Sequence, residues 1–106
     1  MTKRVLAVAS GGGHWVQLLR LRPAFAGCSV AYVTVQASYA EQVPGERFHV
    51  VCDATRWDRL KLIRMIFQVL WVLIKERPDV VISTGAAPGL IALRLGKWMG
   101  ARTVWL

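Results

Sequence analysis

A chain of 106 residues suits one domain, leaves no room for two, and can bury a core without metal or disulfide staples. Its formal net charge of +8 favours anionic partners such as nucleic acid, phospholipid headgroups or phosphorylated substrates, and its 55 % hydrophobic content implies a surface partly covered by something other than water. The two cysteines, Cys28 and Cys52, form neither a CxxC pair nor a metal-ligand cluster with the two histidines, so reduced core thiols are expected and no metal site is.

The chain opens on a buried, β-branched strand, Arg4 to Ala9, too short for a signal-peptide core and cut off by Ser10-Gly11-Gly12-Gly13. His14 to Leu21 reads as a short helix closed by Pro23. Val30 to Val35 is a second strand, Gln36 to Gly45 a polar stretch, and Phe48 to Cys52 a third strand. Arg56 to Arg77 is the longest helix, stopped by Pro78. Val80 to Ser83 is another buried strand, Thr84 to Pro88 a small-residue turn, Gly89 to Met99 a helix ended by Gly100, and Thr103 to Leu106 the start of a further strand. Strands alternating with helices predict a Rossmann-like, doubly wound parallel α/β sheet. The last residues, Val104-Trp105-Leu106, lie inside a strand-like run, as expected of a fragment of a longer protein.

Two loops carry the chemistry. Ser10-Gly11-Gly12-Gly13-His14 joins the first strand to the first helix, where an open parallel sheet binds its ligands. Glycines there let backbone approach a ligand, and the helix N-terminus offers free N–H groups, so a phosphate or diphosphate is the natural guest. A P-loop would need a Lys after the glycines, and none follows. A dinucleotide fingerprint would need a glycine where Val16 stands and an acid where Gln36 and Ala37 stand, so no nicotinamide or flavin cofactor is expected. His14, at the first turn, is a general base, a donor to phosphate, or a capping residue without chemistry. The second loop, Ser83-Thr84-Gly85-Ala86-Ala87-Pro88-Gly89, repeats the arrangement, with Thr84 able to hydrogen-bond. If the first and fourth strands are neighbours, both loops flank one crevice; packing alone would also favour small residues there.

The run from Leu62 to Ile74 is apolar almost all the way round and is bordered by Arg56, Arg59, Lys61, Arg64, Lys75 and Arg77. Such a helix docks on a membrane, meets a partner subunit, or lies in the core of a longer chain. Arg59, Lys61, Arg64, Phe67 and Trp71 are the candidate contacts. The basic residues lack the aromatic interleaving of a nucleic-acid platform, so no nucleic-acid partner is expected. No segment reaches the roughly eighteen uninterrupted apolar residues of a spanning helix, and peripheral attachment at the cytoplasmic face of a membrane is expected.

The run Val8-Ala9-Ser10-Gly11-Gly12-Gly13-His14-Trp15-Val16-Gln17-Leu18-Leu19-Arg20-Leu21 resembles the opening of the asparagine-linked glycosylation protein 14 family, whose bacterial relatives act in capsule and exopolysaccharide synthesis. Pro78-Asp79-Val80-Val81-Ile82-Ser83-Thr84-Gly85 resembles that family's second block. Similar glycine loops occur in MurG-like single-chain enzymes. The resemblance implies the N-terminal, acceptor-side half of a GT-B glycosyltransferase, which presents a polyprenyl-diphosphate-linked saccharide and recruits a separate nucleotide-sugar-binding subunit. It places Gly11, Gly12, Gly13 and His14 against the acceptor diphosphate, with Ser10 in the same loop, and Thr84, Gly85 and Ala86 in the second loop of the cleft. Eukaryotic members carry an N-terminal membrane helix that this sequence does not show before its first strand. Two rival readings remain: a fragment of a single-chain glycosyltransferase, and a non-enzymatic membrane tether.

Overall fold

A strand with no polar face is stable only where both faces are covered. The run Val5-Leu6-Ala7-Val8 meets that condition as β1 (Arg4–Val8), buried from Val5 onward at the centre of the sheet. The computed structural model describes residues 3–10, 13–51, 59–84 and 86–105. After β1 come α1 (Gly13–Arg20), β2 (Ser29–Thr34), β3 (Arg47–Val50), α2 (Arg59–Glu76), β4 (Val80–Ser83), α3 (Ala86–Trp98) and β5 (Arg102–Trp105). The five strands are all parallel, in the order β3-β2-β1-β4-β5. β1 therefore lies between β2 and β4, with Val8 opposite Val33 on one side and Ser83 on the other.

Alternate residues of β1 point to two separate cores. Leu6 and Val8 join Val33, Met65, Val69, Leu73, Val81 and Ala92 under α2 and α3. Val5, Ala7 and Ala9 join Trp15, Leu18, Phe25, Tyr32 and Val43 under α1. Helical cover on both faces makes the sheet doubly wound, and the reversal of strand order between β1 and β4 is its topological switch point. α3 approaches β4 so closely that a Cβ at Gly89 would fall 1.9 Å from Ser83 Oγ, and one at Gly96 2.8 Å from a Val81 methyl.

β4 has the predicted bounds, the other strands and the first helix shift by one or two residues where their ends are described, and Cys52 and Leu106 lie outside the described residues. Larger differences have physical causes. The polar stretch 36–45 contains a 3-10 turn, Ala37–Gln42, and Pro23 lies within another, Arg22–Phe25, just after α1. α3 starts at Ala86, inside the expected turn, because proline and glycine are tolerated in a first helical turn whose N–H groups have no intrahelical partner. The long helix is described from Arg59, and 56–58 lie outside the described residues. It ends at Glu76, and Arg77 takes φ 45°, its N–H donating to Leu73 O at 2.8 Å. Nor is α2 buried all round. Met65, Val69, Val72, Leu73 and Glu76 face the sheet, while Leu60, Ile63, Phe67, Trp71 and Ile74 are exposed on the opposite side.

Candidate functional site

The carboxyl ends of β1 and β4 lie side by side, which brings the two small-residue loops to one crevice. Ala9 N–H donates to Val33 O at 3.0 Å, and the Thr34 hydroxyl donates to Ser10 O, so β2 holds the first loop where it leaves the sheet. Thr84 N–H donates to Val8 O at 3.3 Å. Beyond that the loops are tied to each other. The Thr84 hydroxyl donates to His14 O at 2.6 Å, and His14 Nδ1 lies 2.8 Å from Thr84 O. A carbonyl oxygen only accepts, so Nδ1 carries the hydrogen, and the neutral ring has its bare nitrogen at Nε2.

Ser10, Gly13, His14 and Thr84 thus come together at the switch point. Ser10 is half-buried, and His14 is exposed. Thr84 is only 3 % exposed and spends its hydroxyl proton on His14, so its side chain holds the loops together. A Cβ added at Gly13 would meet nothing within 4 Å, so the fold itself does not demand glycine there. Ala86 opens α3. Gly11, Gly12 and Gly85 lie outside the described residues. Two helices, α1 and α3, begin at the crevice, and neither has an acidic residue in its first turn. N–H groups and a positive dipole end therefore face a region suited to an anion.

The second candidate region is elsewhere. Arg59, Lys61, Arg64, Phe67 and Trp71 are all exposed on α2. Arg64, Phe67 and Trp71 share a groove of about 590 Å³ with Phe48, His49 and Val50 of the edge strand β3. Lys75 Nζ sits 4.9 Å from the Trp71 ring centroid. Among the described residues no helix is long and apolar enough to cross a membrane.

Sequence reasoning passed over two clusters. Trp15, next to His14, is 1 % exposed, stacks on Tyr39 at 4.9 Å and donates from Nε1 to Gln42 Oε1 at 3.2 Å, which anchors the start of α1. Glu76 is buried at the far end of α2, where its carboxylate meets His49 Nε2 at 2.7 Å, Arg47 Nε at 3.0 Å and Arg4 at 3.7 Å. The sequence signal for the second was available: Glu76 is the one acid between Arg59 and Glu76, a stretch otherwise basic or uncharged. A further cavity of about 890 Å³, lined in part by Lys3, Arg77, Asp79 and Arg102, opens at the amino ends of the strands, away from the crevice.

No family description matches the chain, and no curated protein does. Solved structures do. MurG of Acinetobacter baumannii matches 97 % of the chain with 34 % of its own length, at TM-score 0.77 and 14 % identity. The S. aureus MnaA–UDP co-structure matches 99 % of it with 31 % of its own length, at TM-score 0.80 and 11 % identity. The C-terminal domain of a hydrogenase from Pyrococcus furiosus matches the whole chain with 94 % of its length, at TM-score 0.70 and 18 % identity. The chain shares its Rossmann-like fold with these matched stretches and spans about a third of the length of MurG and MnaA. At these identities the likeness is one of fold.

Proposed function

We propose that this chain is the acceptor-side half of a glycosyltransferase that moves a sugar from a nucleotide donor to a polyprenyl-diphosphate-linked saccharide in polysaccharide synthesis. One observation carries the reading: the glycine loop and the Thr84 loop meet at the β1–β4 switch point, with His14 exposed between two helix N-termini. The fold alone does not decide, because a hydrogenase domain shares it. The likeness to MurG and the resemblance to the asparagine-linked glycosylation protein 14 family both favour sugar transfer. In this reading N–H groups at the start of α1 hold the acceptor diphosphate, and His14 acts on the acceptor hydroxyl or on phosphate. The nucleotide sugar binds to a separate subunit, and the exposed face of α2, with Arg59, Lys61, Arg64, Phe67 and Trp71, rests on an anionic membrane surface at the cytoplasmic side. The share of MurG that is matched also supports a second reading, in which the donor-binding half follows in the same polypeptide.

The test uses Gly13→Val. Because space is open at that Cβ, the variant should melt within about 1 kcal/mol of the parent, as surface substitutions do. It should lose binding of a short-chain polyprenyl-diphosphate saccharide. A stable variant that binds this probe as the parent does would remove the glycine loop from the acceptor site, and a tether would show no such dependence.

A further inference from the structure

Among the described residues Thr84 makes three hydrogen bonds, and these run to β1 or to the start of α1. Its N–H reaches Val8 O at 3.3 Å, its hydroxyl reaches His14 O at 2.6 Å, and its carbonyl accepts from His14 Nδ1 at 2.8 Å. Closing the sheet at this point needs only the first. The other two form a reciprocal ring between one residue of the β4 loop and one residue of α1. Thr84 is almost wholly buried, so a valine there would fill the same space and lose only the hydroxyl.

We infer that Thr84 is the positioning residue for His14: it holds the imidazole as the Nδ1–H tautomer, so that Nε2 serves as the base for a hydroxyl. The identity of that hydroxyl rests on the proposed function; the tautomer does not. Nδ1 and Nε2 lie on opposite sides of the ring, so Nε2 points away from Thr84. In the neutral ring it bears no hydrogen and can take a proton, but it cannot donate to a phosphate oxygen. This favours the base over the phosphate donor among the roles open to His14. In transfer, the acceptor oxygen bonds to the anomeric carbon of the donor sugar, and its proton passes to Nε2. The bond from that carbon to the diphosphate oxygen breaks, its electron pair leaving with the nucleoside diphosphate. The imidazolium so formed still donates Nδ1–H to the Thr84 carbonyl, whose negative end stabilises the new charge.

The second histidine supplies a contrast. His49 Nε2 lies 2.7 Å from the Glu76 carboxylate, which only accepts, so in His49 the proton sits on Nε2, the opposite nitrogen from that in His14. The ring nitrogens of the complete natural polypeptide are followed by long-range proton–nitrogen NMR at about pH 8.5, two units above the ordinary histidine value. The His14 signals are identified by their loss in His14→Gln. His14 should appear protonated at Nδ1 and bare at Nε2, and His49 protonated at Nε2. Thr84→Val keeps the carbonyl but frees His14 O, so the carbonyl is no longer held against Nδ1; it should give mixed His14 tautomers and, with the nucleotide-sugar-binding partner present, a kcat about tenfold or more lower with donor KM little changed. Thr84→Ser should restore both. A wild-type His14 bare at Nδ1 overturns the inference. So does a folded Thr84→Val that keeps the Nδ1–H tautomer and turns over within twofold of the parent. Should Thr84→Val fail to fold, the wild-type tautomer and the Thr84→Ser readings decide. The expected tautomers with no sugar transfer by the wild type would support the lock while overturning the proposed function.

Discussion

Arg77 occupies the left-handed region at φ 45°, the conformation that commonly closes a helix at its C-terminal end and that strains a residue carrying a side chain. Glycine is the usual solution at such a helix end. Arg77→Gly should therefore raise stability by about 0.5–1 kcal/mol, read as a higher denaturant midpoint at unchanged slope. Tyr32 offers a pH test. Burial raises its phenol above the ordinary value, with Glu46 adding to the effect and Arg22 opposing it. The folded state then holds a proton that the unfolded state releases above about pH 10, so stability is full below that pH and falls as pH rises through it. Tyr32→Phe should flatten the alkaline limb of the stability curve, and an unchanged limb would assign it to other groups. At this scale the sequence placed Gly13 and His14 just after β1, where the structure begins α1, while Gly11 and Gly12 lie outside the described residues. It could not mark the Thr84–His14 ring, because 70 residues separate its two members and only the β1–β4 pairing brings them together.

Elements were legible wherever burial on both faces left a continuous apolar run, as in β1 and β4, and less so where punctuation misled. The turn read from Thr84 to Pro88 is helical from Ala86 onward, and Gly89, the expected first helical residue, serves as a point of contact with Ser83. Gly96 does the same against Val81. Gly96→Ala should cost about 1–3 kcal/mol, since the added carbon enters the core beneath α3 with no flexible side chain to yield. A parent-like melting midpoint would mean that α3 can lift off the sheet. The outer face of α2 is a different matter. A helix apolar nearly all round needs cover on every side, whereas a single sheet covers one side only, and the stripe from Leu60 to Ile74 is left open. Basic residues beside exposed Phe67 and Trp71 fit an anionic interface. Arg59→Glu, Lys61→Glu and Arg64→Glu together should release the protein from anionic vesicles in flotation, each charge near the surface being worth about 1 kcal/mol. Retention on such vesicles would leave a protein partner as the occupant of that face.

At the scale of the whole molecule, the doubly wound order puts α1 on one face of the sheet, α2 and α3 on the other, and the crevice at the carboxyl edge. A parallel sheet of this kind exposes its ligand site at one edge, and chemistry between two substrates needs a second body to face it. The described residues supply N–H donors and one imidazole there, which suits an acceptor diphosphate and a hydroxyl. MurG and MnaA are about three times as long as the matched stretch, so there is ample length in such proteins for a donor-binding half. The alternatives divide on where that half resides. A tagged full-length parent, drawn from gently solubilised membranes, should bring down a separate subunit that binds nucleotide sugar. Sugar transfer should then require both proteins and vanish with either alone. If the parent transfers sugar unaided, the donor half lies in its own polypeptide. Should the folded parent recover no such subunit and transfer nothing, the crevice serves binding without transfer.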